Sequence, residues 1–118
     1  MTMAQLRDEV KKSQTNLDGC MTASTKRMHA AEDAGDPEKQ LAAEGLWSRA
    51  NAAYILSVQS EVQEIDDADE LKRLIKAFKD QNKILKEENK KVAKLTNKIN
   101  AASAAVKALA GLLKNIAL

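Results

Sequence analysis

The apolar positions of the chain are most regular between Leu71 and Ile116. Every seventh residue from Leu71 is apolar: Leu71, Phe78, Leu85, Val92, Ile99, Val106 and Leu113. The companion series is Leu74, Gln81, Glu88, Leu95, Ala102, Leu109 and Ile116, apolar at all but Gln81 and Glu88. Alternating steps of three and four put both series on one seam of a helix. No Pro or Gly interrupts the stretch before Gly111. One helix is therefore expected over about residues 69–117, about 70 Å long at a rise of 1.5 Å per residue.

A first helix is expected over about residues 2–33, from Leu6, Val10, Leu17, Cys20, Met21, Met28 and Ala31. Asp18-Gly19 is a turn signal inside it. The apolar order resumes at Cys20 without a gap, so one helix is expected rather than two. The run Asp33-Ala34-Gly35-Asp36-Pro37 then reads as a boundary. Gly35 suits a helix end, Asp36 an N-cap and Pro37 a first helical position. The second helix should cover about residues 37–65 with two stripes. Leu41, Gly45, Ser48, Ala52, Ile55 and Val62 form a small-residue stripe that lets another backbone approach closely. Trp47, Asn51, Tyr54, Val58 and Ile65 form a bulkier one. Two stripes imply two neighbours and a central place for this helix. Asp67 or Asp69 could cap the third helix.

The expected fold is all-α: an antiparallel three-helix bundle or coiled coil, one helical domain over residues 1–118, with a long C-terminal helix. That helix outruns the other two by about 25 Å, and its overhang is the most apolar part of the chain. The alternative is a four-helix bundle with a break near residues 96–100, where Thr96, Asn97 and Asn100 are weak helix formers. Composition supports the class. Trp47, Tyr54 and Phe78 are the only aromatics, and there are 1 Pro and 4 Gly among 118 residues. A core with so few aromatics is thin, which favours burying more surface by self-association.

Charge divides the chain. Residues 1–69 hold 7 Lys/Arg against 13 Asp/Glu, and residues 70–118 hold 12 against 4. Complementary packing of acidic and basic helices accounts for this. Lys72, Arg73, Lys76, Lys79, Lys83, Lys86, Lys90, Lys91, Lys94 and Lys98 surround the third helix without aromatic residues beside them. No base-stacking platform results, and nucleic-acid binding is not expected. The N-terminus has no apolar signal segment, so a cytoplasmic location is expected, with export lacking a conventional signal as the alternative.

Candidate chemistry is sparse. His29 is the only histidine; with Glu32 it makes one His-x-x-Glu pair, short of a di-metal set. Cys20 is the only cysteine, so no intrachain disulfide forms, and it lies nine residues from His29, on the opposite helical face. No glycine-rich phosphate loop or Cys-x-x-Cys occurs. No catalytic residue, metal ligand or cofactor is assigned, and an enzyme is not expected.

The sequence therefore points to a non-enzymatic coiled-coil protein of structural or protein–protein interaction type. It would form a homo-oligomer through Leu85, Val92, Leu95, Ile99, Ala102, Val106, Leu109, Leu113 and Ile116. Gln81 and Glu88 would form a polar layer in that seam, fixing register. The alternative is a membrane-active secreted protein, a toxin component or translocator, that uses residues 99–118. There Asn100, Lys107 and Lys114 form a polar strip beside a wide apolar face. A third reading is an immunity- or antitoxin-like binder whose acidic half masks a basic partner.

Overall fold

The computed structural model describes residues 1–59 and 61–118, which are all-helical in character and form four helices. The first, α1 (Met3–Asp33), opens on a capping box. Thr2 N donates to Gln5 Oε1 at 2.8 Å, and Gln5 N donates to Thr2 Oγ1 at 3.2 Å. It continues unbroken through Gly19 and spans most of the 52 Å long axis. It ends in a Schellman turn: Asp36 N donates to Ala31 O at 2.8 Å and Gly35 N to Glu32 O at 3.0 Å. Gly35 takes φ +66, a left-handed value that a side chain disfavours.

Pro37 then starts α2 (Pro37–Gln59), with Lys39 N donating to Asp36 Oδ1 at 3.1 Å. The helix stops six residues before the expected end at 65. The Ser57 carbonyl, which a continuing helix would use, accepts from Gln14 Nε2 of α1 at 3.0 Å. Beyond it the chain pairs with its own C-terminus. Gln63 N donates to Ile116 O at 2.8 Å and Leu118 N to Glu61 O at 2.9 Å, which makes a single antiparallel bridge between Val62 and Ala117.

Asp67 caps α3 (Ala68–Val92), accepting from Glu70 N at 2.9 Å. Asp69 and Glu70 occupy its first turn and Lys90 and Lys91 its last, matching the helix dipole at both ends. The single helix expected from Leu71 to Ile116 is not formed. The chain breaks over residues 93–99, as in the four-helix alternative, and returns as α4 (Asn100–Ile116). The cause lies in α1. Arg27 Nη1 donates to the carbonyls of Val92, Lys94 and Asn97 at 3.0, 2.8 and 3.0 Å. Lys39 Nζ donates to Leu95 O at 3.1 Å. Carbonyls that a continuous helix would satisfy along its own axis are taken by cations of neighbouring helices.

Asn82 bonds Glu9 and Asn89 bonds Asn16, so α1 and α3 run parallel. Arg49 meets Ser103 and Val62 meets Ala117, so α2 and α4 also share a direction. The path is up-down-up-down, with α1 packed on α2 and α3, and α4 packed on α3 and α2. All four contribute to one core, centred on Leu6, Leu17, Leu46, Ile75, Phe78, Leu85 and Leu109, each 0% exposed. Among the described residues no apolar overhang remains.

Candidate interaction surface

The proposed seam lies inside the chain. Leu85, Val92, Ala102, Val106, Leu109, Leu113 and Ile116 are buried in the common core; Leu95 and Ile99 are half-buried at the link. The reason is geometric. A seam folded back on itself faces inward on both arms, so α3 and α4 cover each other. The apolar face of residues 99–118 is buried in the same way. No helix among the described residues is long and apolar enough to cross a membrane.

The buried polar layer sits one position from the residues expected. Gln81 and Glu88 are half-buried at the rim, whereas Asn82 and Asn89 point between α3 and α1. Asn82 Nδ2 donates to Glu9 O at 3.1 Å and Asn16 Nδ2 to Asn82 O at 3.2 Å. Asn89 Nδ2 donates to Asn16 O at 2.8 Å. Glu9, 2% exposed, meets Lys12 Nζ at 3.1 Å, a contact that raises the lysine pKa. These bonds fix the register of α1 against α3. Among the described residues Glu88 has one ion-pair partner, Lys91, at 3.9 Å.

Of the other polar interior groups, Ser13 Oγ donates to Glu9 O at 3.0 Å and Arg27 Nη1 bonds the link carbonyls, whereas Ser24 Oγ and Arg27 Nε have no hydrogen-bond partner among the described residues. Arg27, 4% exposed, lies on the buried stripe Cys20–Ser24–Arg27–Ala31; burial pulls its pKa down and Asp36 pulls it back up. That apolar stripe running through an arginine was the signal for the α3–α4 link. The buried Cys20 thiol is pushed up to about 11 by burial, partly offset by Ser24. His29 and Glu32 are exposed, and among the described residues no group of three or more His, Cys, Asp or Glu is placed to hold a metal. The ten cations of residues 72–98 are all exposed. Four of them border grooves or turns rather than aromatic rings: Lys79, Lys83 and Lys86 line a groove of about 480 Å³ with Glu9, Lys12 and Asn82, and Lys94 lies in the α3–α4 link.

The surface that stands out is the outer face of α2. Its core contacts come from Ala43, Leu46, Ala50, Ala53 and Ser57. Neither stripe read from the sequence is that face. Leu41 is 68% exposed, Ile55 42%, Val58 55% and Trp47 36%. Ala42, Ser48, Ala52 and Gln59 are exposed around them, and Gly45 and Asn51 are half-buried. Leu41, Gly45, Ser48, Ala52, Ile55 and Gln59 follow steps of four and three, a complete heptad seam pointing away from the core. Glu44 and Arg49 are the only charges between Leu41 and Gln59. One flank of this seam drops into a second groove of about 480 Å³, between α2 and α4, with an apolar floor at Ala53, Leu56, Val106 and Ala110. Arg49, Lys107 and Lys114 line the same groove.

No known protein family, curated protein or solved structure matches the chain.

Proposed function

We propose that the protein is a non-enzymatic helical interaction module that self-associates through the outer face of α2. The supporting observation is a helix with two apolar faces of which the fold covers one. A helix apolar all round is ordinarily buried on every side. On α2 the side facing α1 is covered, while Leu41 and Ile55 stand in solvent two heptads apart, with Val58 exposed on one flank. Several large apolar side chains exposed along one helix, rather than scattered singly, mark an association surface. The C-terminal seam has no free face to offer, so association passes from residues 85–116 to residues 41–59. A second copy is the natural occupant, because it brings an identical seam of matching length and small central residues.

Leu41→Asp and Ile55→Asp are expected to convert the associated protein to monomer with its helical circular dichroism unchanged. Both side chains are exposed and carry none of the core. Ile84→Asp is the control, since Ile84 is 42% exposed on α3 and off the seam. Loss of association in Ile84→Asp alone would contradict the assignment of the face.

A further inference from the structure

The orientation of the pair is written in the two charges that flank the seam. We infer that two copies join in parallel and in register along α2, with Glu44 of each copy beside the partner's Arg49. This rests on the reading that the protein self-associates through α2.

Leu41, Ser48 and Ile55 occupy one class of seam position, and Gly45, Ala52 and Gln59 the other. Glu44 lies on one flank of the seam and Arg49, five residues later, on the other. In a parallel two-stranded coiled coil these flanks face across the interface, and charge pairs between them set the orientation. The five-residue offset is the one that brings Glu44 to the partner's Arg49, and two-fold symmetry makes the pair twice. An antiparallel pair brings like flanks together. Glu44 would then meet the side that carries Asn51 and Val58, and Arg49 the side that carries Ala42 and Leu56. Neither charge would gain an opposite partner.

Both charges are available. Among the described residues, Glu44 is in no ion pair. Arg49 Nη1 makes one long bond, 3.3 Å to Ser103 Oγ, which leaves its other donors for a carboxylate. Gly45 adds an independent indication. A glycine inside a helix costs about 1 kcal/mol relative to alanine. Among the described residues, no side chain or other helix lies within 4 Å of where its Cβ would be, so internal packing does not require it. In the parallel register Gly45 faces the partner's Gly45 and Ala52 faces the partner's Ala52. The backbones can then close at mid-helix while paired Leu41 and paired Ile55 seal the two ends.

The test uses the full chain with Cys20→Ala, carrying Leu41→Cys or Ile55→Cys, oxidised mildly after its solution mass has been measured. A disulfide needs Cα atoms within about 7 Å. A parallel pair therefore cross-links in each single-cysteine variant alone. An antiparallel pair holds the two copies of either residue about 15 Å or more apart along the axis. A dimeric mass with no cross-link in either variant overturns the parallel register and leaves self-association standing. A monomeric mass for the Cys20→Ala parent overturns the reading beneath it. Charge reversal supplies the second arm. Glu44→Arg and Arg49→Glu should each weaken dimerisation about five- to ten-fold. The double exchange should restore it to within about three-fold. A double exchange as weak as the sum of the two single changes overturns the pairing.

Discussion

Asn89 lies across Gly19. Its Nδ2 is 3.2 Å from where a Cβ on residue 19 would be, and it donates to the Asn16 carbonyl at 2.8 Å. The glycine in the middle of α1 therefore leaves room for a side chain of α3, and the asparagine amide fills the space that a side chain on residue 19 would take.

Gly19 and Gly45 should consequently respond differently to alanine. Gly45→Ala meets nothing within 4 Å and is expected to raise the stability of the dilute protein by about 0.5–1 kcal/mol. The same substitution should weaken self-association. Gly19→Ala forces Asn89 to shift and lengthens its bond to Asn16, and should fall about 1 kcal/mol short of that gain. Adding Asn89→Ala to Gly19→Ala removes the obstacle and should return the gain. Urea unfolding of Gly45→Ala, Gly19→Ala, Asn89→Ala and the Gly19→Ala/Asn89→Ala double variant reads these stabilities, light scattering reads the association, and equal gains at both glycines would contradict the close contact.

Arg27 holds the α3–α4 link. Arg27→Met keeps the apolar length of the side chain and removes the donors for three carbonyls. The expected loss is about 3 kcal/mol, with faster amide exchange concentrated in residues 91–100. A loss below about 1 kcal/mol would show that the link holds without the arginine.

Core and surface roles separate Leu109 from Leu41. Leu109 is 0% exposed, so Leu109→Asp places a charge in the core and should unfold the chain, at a cost above about 4 kcal/mol. Leu41→Asp should leave the helix content intact and change only the mass. A folded, monomeric Leu109→Asp variant would instead return residues 85–116 to the role of an oligomer seam.

Cys20 gives a pH dependence at the alkaline end. Burial holds its thiol neutral up to about 11, against a reference value of 9.0. The folded state keeps a proton that the unfolded state releases, so this contribution is complete below pH 9 and is lost as pH rises through about 11. The unfolding free energy of the protein, measured relative to Cys20→Ala, should fall by about 2–3 kcal/mol over that window. A constant difference between the two proteins would contradict it. The folded protein should also resist thiol reagents at pH 8 and react once unfolded in urea.

The starts of α1, α2 and α3 were legible because each depends on residues within one turn, whereas α4 starts at Asn100 without a side-chain cap. Thr2 with Gln5, Asp36 with Pro37, and Asp67 with Glu70 all act locally. The helix ends were less so. α2 stops at Gln59 because Gln14 takes the Ser57 carbonyl and the C-terminus pairs with residues 61–63. Both partners lie far away in sequence. The break after Val92 was hidden for a different reason. A heptad repeat reads the same whether the helix continues or folds back on itself, so Val92, Ile99 and Val106 kept their register through the turn. Arg27, more than 60 residues upstream, decides between the two arrangements. The polar layer was read at Gln81 and Glu88 by strict register, whereas Asn82 and Asn89, one position on, are the residues that bond α1. On α2 the stripe Leu41–Gly45–Ser48–Ala52–Ile55 was visible, but the row Ala43–Leu46–Ala50–Ala53, with the same spacing on the opposite side of the helix, took the place in the core, which left the visible stripe outside.

Light scattering on a sizing column, run on the unmodified protein across a hundred-fold dilution, tests self-association through α2 most directly. The expected result is about twice the 12.9 kDa chain mass at high concentration, declining towards the monomer on dilution. A mass equal to one chain at every concentration would contradict it.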